Sequence, residues 1–233
     1  MIKLGVLMLI CGAFNHIRDM LKYGLGAHGT FLSNFFEAGF TALPMCTFAL
    51  LLMGHQNALQ KRLYRQATQD QLTGLHNRRW FMENTPEQMQ AGQTLLILDI
   101  DRFKLINDTY GHAVGDRCLA AAAAHLRATI RKSDLCARIG GEEFAVLLND
   151  ADRSCIQSIA ARISNGFDFD AGDAKTIRVT ASVGVSADAQ TRSQAFKCAD
   201  DAVYQAKAAG RARYVLADTI AGNAAPPLSA LAL

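Results

Sequence analysis

The stretch Leu135-Cys-Ala-Arg-Ile-Gly-Gly-Glu-Glu-Phe-Ala-Val-Leu-Leu148 contains two short apolar runs on either side of Gly-Gly-Glu-Glu. Apolar runs that flank a glycine pair predict two strands, Leu135–Ile139 and Phe144–Leu148, joined by a tight turn. Alone, the two acids of such a turn only interact with solvent. The hairpin by itself therefore indicates an element of the fold and no function.

A second acidic block, Asp99-Ile-Asp-Arg-Phe-Lys-Leu-Ile-Asn-Asp-Thr-Tyr-Gly-His-Ala-Val-Gly-Asp116, lies upstream of this hairpin. It begins at the end of the apolar run Thr94–Asp99, which predicts a buried strand, and leads into a predicted helix over residues 113–132. A strand, a crossover helix and a second strand run parallel in one sheet. Asp99 and the Gly-Gly-Glu-Glu turn are therefore predicted to lie at the same end of that sheet.

The sequence after the hairpin completes the pattern of a mixed domain. It predicts a helix over 151–166, a strand over 177–186, a helix over 193–209 and a last strand over 213–216. The order β-α-β-β-α-β-α-β is typical of an α+β fold, with an open sheet covered by helices.

Composition excludes several classes of protein. The net charge of +3 is too small to favour nucleic acid as a partner. The six cysteines include no CxxC pair, so they predict buried thiols in a reducing compartment rather than disulfides or a metal cluster.

The first 54 residues are much less charged than the remainder. The uncharged run Ala38–Gly54, with Phe35 and Phe36 before it, predicts a membrane span, for which roughly 20 residues are needed; a buried core helix is the alternative. The shorter run Leu4–Phe14 favours a first or truncated span, and a signal segment is its alternative. The five charged side chains of this part are Lys3, Arg18, Asp19, Lys22 and Glu37.

Basic residues after the second apolar run predict an inner-membrane protein whose C-terminal domain lies in the cytoplasm, by the positive-inside rule. They are Lys61, Arg62, Arg65, Arg78 and Arg79. The predicted organisation is a membrane segment over 1–54, a helical linker over 55–71, a catalytic domain over 72–217 and a disordered tail over 218–233. Leu59 and Leu63, four residues apart in the linker, are available for pairing with a second copy.

Converging carboxylates beside a lysine are typical of a site for a divalent metal and a polyphosphate. Mg²⁺ takes one or two carboxylates and leaves its other positions to water and phosphate oxygens. Asp99 and Glu142 are the predicted ligands of Mg²⁺ (or Mn²⁺), with the Ile100 carbonyl beside them and Glu143 as a further acid within reach. Such a metal neutralises charge at an α-phosphate and aligns an attacking hydroxyl with a pyrophosphate leaving group.

Three cations are candidates for phosphate binding. Lys104 lies in the predicted loop after Asp101, where backbone N–H groups also bind phosphate. Lys207 and Arg211 are one helical turn apart, which predicts that they share a helix face. The alternative for this pair is a solvated helix end.

Asn107 and Asp116 are the candidates for recognising a base. Guanine presents two donors on its Watson–Crick edge, a carboxylate accepts both, and an amide reads the remaining group. A site built in this way excludes adenine, because its polar groups would be left unpaired. Helix N-capping is the alternative for Asp116. His112 lies in the same block, and its chemistry alone assigns it no role.

Together these motifs resemble those of GGDEF-domain diguanylate cyclases, bacterial signal-transduction enzymes that join two GTP molecules into cyclic di-GMP. The resemblance extends from about Asp70 to Val215, opening with Asp70-Gln-Leu-Thr-Gly-Leu-His-Asn-Arg-Arg79 and closing with Tyr204–Arg211. It implies a ferredoxin-like fold related to nucleotidyl cyclases and polymerase palms. The sequence departs from the family at Arg102, where an apolar residue is usual, and at Gly210-Arg-Ala-Arg213.

The resemblance also implies a set of site residues. These are Asp99, the Ile100 carbonyl and Glu142 for the metal; Asn107, His112 and Asp116 for the substrate; Lys104, Lys207 and Arg211 for its phosphates; and Glu142, Glu143 and Lys104 for catalysis. Which glutamate helps to deprotonate the 3′-hydroxyl is left open. Because each domain would hold one GTP, the active enzyme would be an isologous homodimer.

Arg131-Lys-Ser-Asp134 stands at the spacing of the family's inhibitory product site, RxxD. An arginine can donate to guanine O6 and N7 together, so the resemblance implies inhibition by cyclic di-GMP, with Arg138 as a helper. Alone, the pattern indicates a helix ion pair. Two other functions fit the same sequence: a catalytically silent module that senses GTP or cyclic di-GMP, and a cyclase that makes cyclic GMP from one GTP.

Overall fold

The computed structural model describes residues 31–172 and 174–218, with four isolated helical positions before residue 31. Within these two ranges, side chains are described from Leu43 to Ala217, except that of Pro44. The chain divides into two units, Met1–Arg65 and Gln66–Leu233. The predicted span over Leu4–Phe14, apart from Ala13, lies outside the described residues. So does the disordered tail predicted over 218–233, apart from Asp218, which ends a strand.

The long helix α1, Phe31–Thr68, contains the predicted span and most of the predicted linker. Among the described residues, no helix combines the length and the apolar character needed to cross a bilayer. The membrane span predicted over 38–54 is therefore not supported, and neither is the inner-membrane location that followed from it. The uncharged run supplies only 17 residues, and α1 continues from His55 through polar and basic residues.

The second unit contains a six-stranded sheet in the order β1-β3-β4-β2-β7-β8. The central strand β2 runs antiparallel to both of its neighbours, β4 and β7. The edge pairs β1–β3 and β7–β8 are parallel. The strands of this sheet are β1 His76–Asn77, β2 Thr94–Ile100, β3 Leu135–Arg138, β4 Glu143–Leu148, β7 Ala181–Ala187 and β8 Tyr214–Asp218.

Five further helices cover this sheet and connect its strands. They are α2 Arg78–Asn84, α3 Phe103–Tyr110, α4 His112–Thr129, α5 Arg153–Ser164 and α6 Arg192–Ala208. All seven residues of β2 are buried, and successive side chains enter different apolar clusters. Leu96 and Leu98 belong to one cluster, whereas Leu95 and Ile97 belong to the other. This alternation follows from the two-residue period of a strand and explains why β2 is apolar throughout.

The predicted α+β fold is confirmed, with one strand prediction corrected. The run 177–186 is not a single strand, because the chain leaves the sheet pattern at Thr180. Before that residue, β6 (Thr176–Val179) pairs with β5 (Phe167–Asp170) in a separate hairpin, which the sequence analysis missed. Helix α2 was not predicted either; its N-cap Asn77 accepts a hydrogen bond from Trp80 N at 2.9 Å.

Candidate functional site

The end of β2 and the Gly-Gly-Glu-Glu turn lie side by side. Asp99 is paired with Glu143 in the β2–β4 register, and Ile100 N donates to Glu142 O at 3.2 Å. The Glu143 carboxylate lies over Gly140, at the place that a Cβ on this residue would occupy. The predicted convergence of Asp99 with the turn is confirmed, and β4 is the strand that brings them together.

Lys207, in the last turn of α6, forms an ion pair with the first of these acids. Its Nζ lies 2.8 Å from Asp99 Oδ2, and the Asp99 side chain is only 10% exposed. The ammonium group therefore neutralises the carboxylate at the end of β2. Two residues that the sequence analysis assigned to different ligands, metal and phosphate, contact one another directly.

Glu142 is less well accommodated than Asp99. Its partial burial raises its pKa, the neighbouring Asp99 carboxylate raises it further, and Lys207 opposes the shift. Within the described part of the chain, no hydrogen bond or ion pair reaches the Glu142 carboxylate. Two carboxylates that share one lysine carry an excess of negative charge, which a divalent cation would relieve.

The donor set fits magnesium rather than a metal that needs a protein cage. The described residues contain no group of three or more His, Cys, Asp or Glu side chains that could hold an ion. Mg²⁺ binds through one or two carboxylates and retains water or phosphate oxygens in its other positions. Asp99 and Glu142 satisfy this smaller requirement.

Glu143 also affects an acid on α6 that the sequence analysis missed. Burial raises the pKa of Asp200, and the Glu143 and Asp201 carboxylates raise it further, while Arg78 opposes the shift. The pair Asp200-Asp201, two helical turns before Lys207, was the available signal in the sequence. The negative potential around the turn is therefore larger than Glu142 and Asp99 alone would produce.

Lys104 is exposed in the first turn of α3. The N-cap of this helix, Arg102, has a left-handed backbone (φ 57°) and makes no side-chain cap bond. The Arg102 side chain therefore leaves the first N–H groups of α3 uncapped. A helix start that binds an anion requires such uncapped N–H groups. The departure noted at Arg102 falls at the corner that directs the chain from β2 into α3.

Asn107 lies against the helix that carries Asp116. A Cβ at Gly115 would collide with Asn107 Oδ1, so this glycine permits the close approach of α3 and α4. Asp116 is exposed and lies one turn inside α4, whose N-cap is Gly111. The alternative that Asp116 caps the helix is therefore wrong. His112, the first residue of α4, is exposed.

The prediction that Arg211 and Lys207 share a helix face is wrong, because Arg211 lies beyond the end of α6. Helix α6 ends at Ala208, and Gly210 takes φ 112° just beyond it. Arg211 itself is left-handed (φ 65°), and its N–H donates to Ala206 O at 3.0 Å. The arginine is consequently displayed by a tight loop rather than by a helix.

Two cavities lie near opposite ends of β2. One of ≈ 430 Å³ lies between α3, β6 and the Gly210–Ala212 loop, with Asp101 in its wall. The other, of ≈ 690 Å³, is lined by Thr94 at the start of β2 and by none of the predicted site residues. Arg211 and Asp101 line the smaller cavity, whereas Asp99, Glu142 and Lys207 line neither of the two.

Arg131 and Asp134, the predicted Arg-x-x-Asp pair, precede β3 and so lie at the end of this strand that is remote from the Gly-Gly-Glu-Glu turn. The buried Asp134 carboxylate accepts hydrogen bonds from Arg131 N at 2.8 Å and Asn149 N at 3.1 Å. The Arg131 guanidinium lies near Cys155 Sγ, at 3.3 Å, and its side chain is exposed. The alternative of a helix ion pair is wrong, because Asp134 binds the backbone of Arg131 in a turn.

Arg138 is engaged within the protein. Its guanidinium donates to both carboxylate oxygens of Asp70, at 3.1 and 3.2 Å, and to Gly141 O at 2.7 Å. It thereby joins the opening Asp70–Arg79 motif to the Gly-Gly-Glu-Glu turn.

Comparison with known proteins agrees with this geometry. Residues 67–213 match the family described as diguanylate cyclase, GGDEF domain. The chain is 43% identical over 159 residues to the response regulator PleD of Caulobacter vibrioides, covering 62% of this chain and 35% of PleD. It is 36% identical over 165 residues to the probable diguanylate cyclase DgcT of Escherichia coli, covering 66% of this chain and 36% of DgcT. The chain thus spans about a third of the length of these curated relatives.

Solved structures resemble the fold as well. The coiled coil and GGDEF domain of DgcB from Caulobacter crescentus, in complex with c-di-GMP, superimposes with a TM-score of 0.62 at 26% identity. That match covers 77% of this chain and all of the DgcB chain. With a family match over most of the second unit and the acids, the lysine and the turn arranged around the end of β2, the chain belongs to the GGDEF-domain family of diguanylate cyclases.

Proposed function

We propose that this protein is a diguanylate cyclase that condenses two GTP molecules into cyclic di-GMP and two pyrophosphates. The observation that carries the proposal is the meeting of Asp99, Glu142 and Lys207 at the end of β2. Relatives that are named diguanylate cyclases support it. The activity is expected in the cytoplasm, where GTP is available.

Asp99 and Glu142 would hold Mg²⁺ (or Mn²⁺), with the Ile100 carbonyl beside them, and this ion supplies charge neutralisation at the α-phosphate. The Asp99–Lys207 ion pair balances both charges. Once Asp99 has another cation, Lys207 is available for phosphate, together with Lys104 and Arg211. The ion pair thus keeps a phosphate-binding group close to the acids before nucleotide arrives.

Asn107 and Asp116 would bind guanine, with His112 beside them at the start of α4. The close contact of Asn107 with Gly115 brings the amide near the helix that carries the carboxylate. A carboxylate that accepts from two guanine donors would discriminate strongly against adenine.

The 3′-hydroxyl needs a proton acceptor, and two glutamates are within reach. Glu142 has the raised pKa that suits a general base, but it is also a proposed metal ligand. Glu143 is exposed beside it. Separate Glu142→Gln and Glu143→Gln variants distinguish the roles, because loss of a base alone would alter the pH profile of kcat without weakening metal binding.

Cyclisation requires two chains, because each domain would hold one GTP and each 3′-hydroxyl attacks the other nucleotide. Leu59 and Leu63 on α1 are exposed (49% and 55%) and are spaced for pairing with a second copy. Replacing both with lysine is expected to shift the protein towards monomer in analytical ultracentrifugation and to lower the specific activity in parallel.

Product inhibition would use the exposed Arg131 beside Asp134. In a progress curve, Arg131→Ala should remove the slowing that follows accumulation of cyclic di-GMP. Lys132→Ala is the matched control, since it removes a neighbouring exposed cation outside the Arg-x-x-Asp pair. Equal slowing in both variants would exclude this site.

The decisive experiment is incubation of the full chain with GTP and Mg²⁺, followed by mass spectrometry of the products. Cyclic di-GMP with pyrophosphate supports the proposal, whereas cyclic GMP identifies a different cyclase. A folded dimer that binds cyclic di-GMP but leaves GTP unchanged is the silent sensing module.

A further inference from the structure

Asp101 has an elaborate hydrogen-bond environment for a residue without an assigned role. It lies two residues beyond Asp99 and is only 7% exposed. Its Oδ1 accepts from Ser182 Oγ at 2.7 Å, and its Oδ2 accepts from Thr180 Oγ1 at 2.6 Å and Ala212 N at 2.9 Å. No ion pair involves it in the part of the chain that the structure describes. Three donors therefore stabilise its charge in place of a cation.

The three donors belong to separate parts of the fold. Thr180 is the residue at which the chain passes from the β5–β6 hairpin into the main sheet, and Ser182 lies in β7. Ala212 lies in the loop between α6 and β8. The backbone of Asp101 adds a fourth bond, from its N–H to Thr180 O at 2.9 Å. One residue thus ties the end of β2 to β7 and to the loop that displays Arg211.

That loop has an unfavourable backbone. Arg211 and Ala212 are consecutive non-glycine residues with left-handed φ values of 65° and 49°. Such residues are uncommon and persist only where surrounding contacts fix them. The bond from Ala212 N to Asp101 is the contact that reaches the loop from β2, with a sequence separation of 111.

We propose that Asp101 is a positioning residue for the triphosphate. Its carboxylate holds the Gly210–Ala212 loop in the left-handed conformation that directs Arg211 towards the nucleotide phosphates. Asp99 anchors the preceding helix turn through Lys207 at 2.8 Å. The two aspartates of the Asp-Ile-Asp segment therefore hold two of the phosphate-binding cations in different ways. Asp99 pairs with the Lys207 side chain, whereas Asp101 binds the backbone of the loop that carries Arg211. This inference rests on the proposed binding of GTP.

The test compares the affinities of the full chain for GTP and GMP, measured by isothermal titration calorimetry without metal. If Asp101 positions Arg211, Asp101→Ala should weaken GTP binding roughly tenfold and GMP binding less than about twofold, since GMP lacks the outer phosphates. Asp101→Asn retains one acceptor oxygen and should restore part of the preference for GTP. Ser182→Ala is the matched control, because it removes a bond to Oδ1 and leaves the Ala212 bond in place.

A second readout follows the loop without nucleotide. Hydrogen exchange of a peptide that covers residues 209–214 should be faster in Asp101→Ala than in the parent or in Ser182→Ala. If Asp101→Ala does not fold, Asp101→Asn serves in both measurements. Equal weakening of GTP and GMP, or unchanged exchange in the loop, would overturn the positioning role. A parent protein that binds neither nucleotide even after Mg²⁺ is added would instead overturn the proposed function, and the exchange data would still report whether Asp101 anchors the loop.

Discussion

Each of the two turns that flank β3 carries an acid, and the hydrogen bonding of the two acids differs. Before the strand, the buried Asp134 carboxylate accepts from the backbone N–H groups of Arg131 and Asn149. After it, Glu142 carries a pKa raised by burial and by Asp99. In the described part of the chain, its carboxylate accepts no hydrogen bond.

The difference separates an acid that is held by the backbone from one that is not. A buried carboxylate that accepts two backbone N–H groups stabilises the fold. A carboxylate held beside another acid destabilises the empty site and gains free energy when a cation binds. The predictions below test this contrast, beginning with the largest expected effect.

Glu142→Gln should nearly abolish synthesis of cyclic di-GMP. Loss of a metal ligand removes several kcal/mol of transition-state stabilisation, so kcat should fall roughly a thousandfold. The measurement is product formation from GTP by mass spectrometry. Glu83→Gln is the control, since Glu83 is an exposed acid paired with Arg79 on α2. A Glu142→Gln variant with at least a tenth of the parent's rate would exclude Glu142 from the metal site.

Asp134→Ala should lower stability, in contrast to Glu142→Gln. Two backbone donors lose a charged and buried acceptor, so the free energy of unfolding should fall by about 2–3 kcal/mol. Urea denaturation followed by circular dichroism measures the loss. Asp152→Ala provides the comparison, because Asp152 also accepts two bonds, from Cys155 N and Ser154 Oγ, but at the surface. An equal loss in both variants would show that burial of Asp134 does not matter.

Arg138→Met should destabilise the protein by about 1–2 kcal/mol at neutral pH, because Asp70 and Gly141 O lose their donor. Burial alone would raise the pKa of Asp70, but hydrogen bonds from Thr73 and the Arg138 guanidinium bring it below its usual value of 3.8. A lowered carboxyl pKa stabilises the folded state above the ordinary value, and this contribution disappears as the pH falls through the lower native value. The gap between parent and variant should therefore narrow below about pH 4. A gap that stays constant down to pH 2 would contradict the ion pair.

The smallest effect concerns the stability of Glu142→Gln. A carboxyl whose native pKa is raised binds protons more tightly in the folded state, so its ionisation destabilises the fold as the pH rises through the native value. Above that value the glutamine variant should melt slightly higher than the parent, by the order of 1 °C. The difference should vanish as the pH falls to 4.5, the ordinary pKa of a glutamate. Thermal melts of both proteins between pH 4 and 8 make the measurement, and a lower melting temperature for the variant would show that Glu142 also has a structural role.

Much of the fold follows from local pattern. Three elements could be predicted from the residues of their own segments, by hydrophobic periodicity or by turn residues. They are the buried run Thr94–Asp99, the hairpin with the glycine pair and the long helix after the acidic block. The connection rule for parallel strands then places Asp99 at the same end as the turn. The break at Thr180 has no such signal, since Ile177–Ser186 alternates as a continuous strand would. At the break, Thr180 exchanges hydrogen bonds with Asp101, about 80 residues away in the sequence.

The prediction of buried thiols is confirmed for Cys46, Cys118 and Cys136, whereas the other two described cysteines, Cys155 and Cys198, are half-buried. Cys118 and Cys136 are free and buried, and burial raises the pKa of each to about 12. Both therefore remain protonated and pack as small apolar groups, as their scattered positions predicted.

The sequence by itself determined which chemical groups this protein has and at which end of the sheet its acids meet. Residue type and the order of elements along the chain are read directly from it, and the crossover rule then fixes the direction of the strand before the turn. Only the tertiary structure decided how those groups are held. Lys207 pairs with Asp99, Arg211 sits beyond the helix that was expected to carry it, and Arg138 is occupied by Asp70. These outcomes depend on hydrogen bonds and ion pairs between residues separated by 68 to 111 positions. Such partners are chosen by the packing of the whole domain and by no single segment.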